Sequence, residues 1–411
     1  MGESECLFDM SAGYKLAIVS THPIQYHAAW FRALAAHPDL QLHVYYCHKA
    51  TPQEQAQAGF GVEFDWDVPL LTGYPNSFLR NVANPPGRGR FGGFDTPEIQ
   101  EIIRRGRYDA ILVNGWHYKS AWQAIWACRQ SKVKVMVRGD SHLHIPRSLP
   151  LRIAKSFAYP CFIPRFDACL AVGQWSREYF LHYGASPDRV FLVPHAIDTE
   201  RMDADSQSLQ IDRPELRKRW ALDESSTVFI FAGKFTEIKR PMDFVRAINE
   251  AAQSAVVQGL MVGDGLMRGV CEDFARNHGV PITFAGFLNQ SEIVKAYVAA
   301  DVLVLPSAGE TWGMVVNEAM GCKRPCIISD RVGCGPDLIR NGENGAIFHQ
   351  GDVHALAALM IEMARQPAQL AIMGTQAQER VRKYSVGTAV EGVIQSLNAI
   401  TGSRALHAIA D

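Results

Sequence analysis

Two trains of short, uninterrupted apolar runs, set apart by one charged stretch, constrain this chain more than any other feature. The first train is KLAIVS (15–20), QLHVYYC (41–47), DAILVNG (109–115), VKVMVRG (133–139), DACLAVG (167–173) and RVFLVP (189–194). Between the runs lie stretches such as AAWFRALAAHP and SAWQAIWACRQS, whose apolar residues recur three and four apart, the helical spacing. A strand that is apolar throughout must be covered on both faces, and alternating helices supply the covers, so the expected sheet is parallel and doubly wound. Residues 199–221 (TERMDADSQSLQIDRPELRKRWA) are charged and carry no strand signal, which places a domain link there. The second train is STVFIFAG, AVVQGLMVGDG, PITFAGF, ADVLVLPS, RPCIISD and NGAIFH. Ligands in such sheets sit at the carboxyl ends of the strands, so the expected site is a cleft between two tandem domains.

Composition narrows the partners. With 411 residues there is length for two cores. Lysine and arginine number 41 against 42 acids, so no global field draws the chain to nucleic acid or to an anionic surface, and any basic site is local. The nine cysteines, Cys6 among them, are scattered mostly in apolar runs, as reduced buried thiols of a cytoplasmic protein would be. Cys322 and Cys326 form the only close pair and lack further zinc ligands. The opening residues (MGESECLFDMSAGYK) carry acids where a secretory leader needs bases, and no window reaches about 18 apolar residues.

The stretch GETWGMVVNEAMG (309–321) holds the strongest chemical signal. Glu310 and Glu318 stand eight positions apart, roughly 12 Å along a helix starting near Thr311, too far to share a proton and suited to gripping two ends of one elongated ligand. Between them the amides of Trp312, Gly313 and Met314 are expected to be free at a helix N-terminus, a ready diphosphate site. Lys234 follows the strand STVFIFAG and Gly233, and Lys239 and Arg240 enter the next helix; three cations in one strand-to-helix turn suit a departing diphosphate without a metal ion. VGDGLMRG (262–269) has GxGxxxG spacing and is weak as a dinucleotide fingerprint; Gly263 and Gly265 read instead as cleft rim, and RVGCGPDL as another carboxyl-edge loop.

In the first domain, STHPIQYHAAW (20–30) sets Thr21, His22, Gln25, Tyr26 and His27 at the same edge, and NGWHYKS (114–120, with His117) and RGDSHLH (138–144, with Arg138, Asp140 and His142) follow two further strands. Three histidine-bearing loops suggest an acceptor wall. FDWDV (64–68) contains a DxD, but Glu63, Asp65 and Asp67 alternate with apolar residues and read as an exposed strand face rather than a metal site. From Ser141 to Phe166 there is no acid, while Arg147, Arg152, Lys155 and Arg165 interleave with apolar residues, a pattern that fits a membrane-surface face as well as a basic surface over a buried helix.

The second domain resembles the family 4 retaining glycosyltransferases of the two-Rossmann (GT-B) architecture. Gly233-Lys234 with Lys239, VGDG, ITFAGF, DVLVLPSAGETWGMVVNEAMGCKRPCIISD, VGCGPDL and NGENGAIF occur in the family's order, with PHAIDTERM (194–202) like its interdomain segment. By this resemblance Glu310 faces the donor sugar, Glu318 holds the ribose, and Lys234 and Lys239 bind the diphosphate. Gly233, Gly263, Gly286, Phe287, Thr311, Trp312, Gly313, Met314 and Val315 complete the donor site. Where many members carry a glycine pair this chain has THPIQYH, and where many carry a histidine it has VRGDSH. Asp140, His142 and His117 are therefore the first-domain catalytic candidates, with His22, Tyr26, His27 and Arg138 on the acceptor side.

The expected fold is α/β, with two Rossmann-like doubly wound domains facing across a cleft: residues 1–200 bind acceptor, 201–385 bind donor, and a C-terminal helix within 386–411 returns to the first domain. The expected activity is transfer of a hexose-type sugar from a nucleoside-diphosphate sugar to a glycan or lipid-linked saccharide, without cofactor, metal or nucleic acid. A cytoplasmic monomer or weak dimer, peripheral at the inner face of a membrane, is the expected form. A nucleotide-sugar epimerase of the same architecture would turn over without acceptor, and a non-catalytic nucleotide-sugar scaffold would not need the full set of Lys234, Lys239, Glu310 and Glu318.

Overall fold

The computed structural model describes residues 13–402 apart from 57, 58 and 60; Cys6 and the acidic N-terminal stretch lie outside the described residues. Seven parallel strands form the first sheet: β1 (Tyr14–Ser20), β2 (Leu40–Tyr46), β3 (Asn76–Phe78), β4 (Ala110–Asn114), β5 (Lys134–Gly139), β6 (Ala168–Ala171) and β7 (Val190–Leu192), in the order β3-β2-β1-β4-β5-β6-β7. Six form the second: β8 (Thr227–Ala232), β9 (Val257–Val262), β10 (Ile282–Gly286), β11 (Val302–Leu305), β12 (Cys326–Ser329) and β13 (Gly345–Phe348), in the order β10-β9-β8-β11-β12-β13. The winding reverses between β1 and β4 and between β8 and β11, which opens a crevice at the carboxyl edge of each sheet.

Each sheet is buried on both faces because successive residues point to opposite sides. In β1, Leu16 and Ile18 join one core with helix 25–35, while Ala17 and Val19 join another with helices 99–106 and 119–131. In β8, Val228 and Ile230 pack with helices 293–299 and 314–321, and Phe229 and Phe231 with helix 241–251. Four continuous apolar clusters result, two in each domain, which is why the strands read as unbroken apolar runs.

The charged stretch 199–221 carries no strand; it forms two helices, Thr199–Ser208 and Arg213–Arg219, and Met202, Leu216 and Trp220 enter the second domain's core, so the charges mark only their solvent faces. Two expectations change. FDWDV forms no strand. It lies on a connection that crosses to the second domain, where Asn289 Nδ2 donates to the Asp65 carbonyl at 2.8 Å and the Ser291 amide to Asp67 Oδ2 at 3.1 Å. Lys155 is not on an exposed basic face; it is buried and donates to the Tyr179 hydroxyl at 3.1 Å.

The last helix, Val386–Thr401, puts Ala389, Val390, Val393 and Leu397 into the first domain's core beside Leu16 and Leu170, and Tyr14 Oη donates to Asn398 Oδ1 at 2.6 Å. Eight cysteines fall among the described residues, all of them free and all but Cys161 buried. No helix among the described residues is long and apolar enough to cross a membrane.

Candidate active site

A cavity of about 610 Å³ lies between the facing carboxyl edges of the two sheets, within the size range of small-ligand sites. Its second-domain wall holds Gly233, Lys234 and Lys239 after β8, Gly263 after β9, Phe287 after β10, and the run Glu310 to Val315 with Glu318 after β11. Its first-domain wall holds Tyr26, His27, His117, Arg138 and Asp140. Gly286 is not on the wall; its carbonyl accepts the Gly263 amide at 2.8 Å and so supports it. His22 and His142 also stand behind the wall.

The helix bearing Glu318 begins at Met314 rather than near Thr311, because Gly313 takes φ +103° and Glu310 pairs with Val332 in a short parallel bridge that keeps the preceding residues extended. A side chain at Gly313 would be strained by that φ and would press on Val332 at 3.0 Å. The free first-turn amides are therefore those of Met314 and Val315, while the Val316 amide already reaches the Gly313 carbonyl at 2.9 Å. Trp312 is buried and donates from its indole to Asn317 Oδ1 at 2.8 Å.

Glu310 forms an ion pair with Lys239 and accepts from Ser307 Oγ at 3.1 Å. Its carbonyl meets His142 Nε2 at 2.8 Å, so His142 braces the Glu310 backbone from the first domain instead of facing the cavity. Burial, reinforced by Lys239, pushes the Lys234 ammonium down to about 8. Arg240, which taken alone reads as ordinary surface charge, stands apart from the two lysines; it turns back onto Asp243 of the helix that follows it, with Nη2 at 3.0 Å from Oδ1.

Glu318 is buried and takes three hydrogen bonds: Tyr26 Oη at 2.9 Å and Gln290 Nε2 at 3.2 Å on Oε1, and Tyr297 Oη at 2.8 Å on Oε2. Burial raises its carboxyl above the ordinary range against the pull of these donors. Tyr26, expected on the acceptor side, thus touches Glu318 of the second domain across the interdomain cleft.

On the opposite wall, buried Arg138 donates to the Val193 and Pro194 carbonyls at 3.3 and 3.0 Å, and its Nη2 lies 3.3 Å from His195 Nδ1. A guanidinium only donates, so Nδ1 accepts and the His195 proton sits on Nε2, 4.0 Å from Asp140 Oδ2. Burial alone would raise the Asp140 carboxyl, yet the neighbouring His195 imidazole, with the Thr311 hydroxyl, holds it well below the usual carboxylate range. Burial and Arg138 push His27 and His195 down, burial lowers His117, and burial with Arg88 takes His22 to about 3. The histidine wall is therefore uncharged at neutral pH, with Asp140 as its anion.

Sequence reasoning missed His195, Gln290, Tyr297 and Asn317. His195 lies in the PHAIDTERM segment directly after β7, and a lone tyrosine among the apolar residues of helix 293–299 was the available sign for Tyr297.

A polar cleft closed between the carboxyl edges of two doubly wound domains is the architecture of the GT-B glycosyltransferases. Residues 29–201 match the model described as Glycosyltransferase Family 4 and residues 212–380 the one described as Glycosyl transferases group 1, and the chain belongs to this family. D-inositol 3-phosphate glycosyltransferase of Rhodococcus jostii is 25% identical over 363 residues, spanning 82% of this chain and 78% of the relative. Among solved structures, a glycosyltransferase of Rickettsia africae superposes with a TM-score of 0.74 at 14% identity, covering 95% of this chain and 99% of its own. HepE of Anabaena, in complex with UDP and glucose, superposes with 0.68 at 17% identity over 94% and 99% of the two chains.

Proposed function

We propose that the protein transfers a hexose-type sugar from a nucleoside diphosphate to a hydroxyl of a glycan or lipid-linked acceptor, with retention and without a metal ion. The observation that carries this reading is the convergence, in one cavity, of Lys234, the Lys239–Glu310 pair, the free amides of Met314 and Val315, and Glu318. A diphosphate at the helix N-terminus would meet two lysines and two amides, which stabilise charge that grows only as the sugar–phosphate bond breaks. HepE holds UDP and glucose, in keeping with a nucleotide-sugar donor. Glu318 has about four acceptor positions and three donors, leaving one for a ribose hydroxyl.

The carboxylates' engagements support retention without a covalent intermediate. Glu310 is paired with Lys239, Glu318 takes three donors, and Asp264 takes Arg268 Nη1 and the Gly265 amide, both at 2.7 Å. Asp140 is held by His195 and Thr311. With each of these carboxylates engaged, the reading is that the acceptor attacks on the face that diphosphate leaves and that the departing phosphate oxygen takes the acceptor's proton. Peripheral contact with the inner face of a membrane belongs to the same reading: helix Leu149–Phe162 exposes Leu149, Leu151, Ile153 and Phe157 next to Arg147 and Arg152.

Calorimetric titration with UDP, GDP and ADP in chelator, on the protein and on Glu318→Ala, tests the donor reading. Binding of one nucleotide, weakened in the variant, is expected; no binding, or binding indifferent to Glu318, removes it. Conversion of donor to an epimer without acceptor would instead establish the epimerase.

A further inference from the structure

The connection between β2 and β3 leaves the first domain and lies across the donor wall of the second, and neither the family's motif set nor the catalytic reading uses it. Its contacts run along the slot from the lysine end to the far end. A Cβ at Gly59 would come 3.3 Å from Lys234 Cδ, and one at Gly61 would come 3.2 Å from Asp264 Oδ1. Farther on, the Phe64 ring lies 4.3 Å from that of Phe287 and meets Trp66 edge-on at 4.9 Å. The Asn289 side chain and the Ser291 amide and hydroxyl then fasten Asp65 and Asp67. This strap is thus pinned at both ends, and Trp66 is its residue on the cavity wall, in company with Val262, Gly263, Phe287 and Leu288.

Position along the slot gives this group its chemistry. With diphosphate at Lys234 and the Met314 amides and ribose at Glu318, the ring of a nucleotide extends beyond Glu318, toward Gln290, Phe287 and Leu288. That end of the slot is lined on the second-domain side by Phe287 and Leu288 beside Gln290, and the strap supplies an indole from the first domain. We propose that Trp66 is the stacking face for the donor's nucleobase, so that the first domain takes part in donor recognition. The inference rests on the nucleotide-sugar reading of the cavity. Asp65 and Asp67 acquire a role with it: one lends its carbonyl and the other its carboxylate to hold the indole's position.

The test is calorimetric titration of Trp66→Ala, Trp66→Leu and Trp66→Phe with whichever of UDP, GDP or ADP the unaltered protein binds, each variant's melting temperature being recorded alongside. Stacking predicts a roughly ten- to hundred-fold loss of affinity for Trp66→Ala and Trp66→Leu and a loss within about threefold for Trp66→Phe. Leucine keeps an apolar contact without a π face, so rescue by leucine would mark a packing role and overturn the proposal, as would affinity unchanged in all three. Binding in the unaltered protein together with either of those results leaves the glycosyltransferase reading standing and removes only the stack. Absence of binding to any nucleotide in the unaltered protein removes both.

Discussion

Lys234 stands where burial and Lys239 both oppose its charge, and a diphosphate arriving beside it reverses that balance, because an anion lifts the pKa of a neighbouring amine. The sign of the pH dependence follows. Below about pH 7 the ammonium is already charged and binding takes up no proton; near pH 8 about half a proton is drawn in, and above it nucleotide affinity falls as Lys234 of the unliganded protein becomes neutral. Titrations at pH 8 in buffers of different ionisation heat read this uptake directly. It is expected in the unaltered protein and absent in Lys234→Arg, whose guanidinium stays charged; a protein that takes up none places Lys234 away from the phosphates. Lys239 answers to a different readout. In the proposed reading its pairing with Glu310 sets it beside the breaking bond, so Lys239→Ala is expected to cost roughly 10²- to 10³-fold in turnover, the range for loss of one oxyanion-stabilising group, with nucleotide binding lowered far less. Equal losses in both would assign Lys239 to binding alone.

At the scale of elements, the return of the last helix to the first domain is held by tight packing. Leu397 is fully buried, and Leu397→Ala should cost about 2–5 kcal/mol in denaturant unfolding. Gly392 lies on β7, where a Cβ would stand 2.0 Å from the Leu192 carbonyl oxygen; Gly392→Ala must therefore push the helix off that strand, and a melting temperature equal to that of the unaltered protein would contradict the packing. Helix Leu149–Phe162 makes a prediction in the opposite sense. Phe157 is 75% exposed, so Phe157→Glu should leave stability unchanged and weaken co-sedimentation with anionic phosphatidylglycerol vesicles; equal sedimentation would make that face ordinary surface. These elements also show what the sequence makes legible. Each apolar run read as a strand is one, because burial on both faces imposes continuous hydrophobicity. β3 escaped notice because its three residues, Asn76 to Phe78, pair on one side only with β2 and are largely exposed. The glutamates, lysines and helix terminus of the donor wall were visible because they lie on contiguous stretches. The start of the Met314 helix was misplaced, since a bridge to Val332 is not encoded locally, and the donors to Glu318 were hidden because Tyr26 is 292 positions away.

Across the whole molecule, the same long-range logic decides how the domains are held. Asp337, in the second domain, caps a first-domain helix: the Gln174 amide, at the start of helix Gln174–His182, lies 3.1 and 3.0 Å from its two carboxylate oxygens, and Tyr384 Oη donates to Oδ1 at 3.0 Å. His142 on the Glu310 carbonyl, Tyr26 on Glu318 and the Asp67–Ser291 contact complete a set of polar ties around the cavity rim. A carboxylate accepting a helix-terminal amide is worth about 1.5–3 kcal/mol, and leaving that amide without its acceptor at a closed interface costs a similar amount. An arrangement with the domains apart would lack this bond, so Asp337→Ala is expected to shift the balance toward such open forms and to lower apparent nucleotide affinity by the fraction of closed protein lost. Small-angle scattering should show a larger radius of gyration for Asp337→Ala than for the unaltered protein without nucleotide. It should converge on the unaltered value at saturation, because a ligand gripped by both walls restores closure. Asp337→Asn keeps an acceptor oxygen for the Gln174 amide and should fall between the two. If Asp337→Ala scatters like the unaltered protein in both states, closure is carried by the rim contacts next to the donor, and the helix cap serves the stability of helix 174–182 alone.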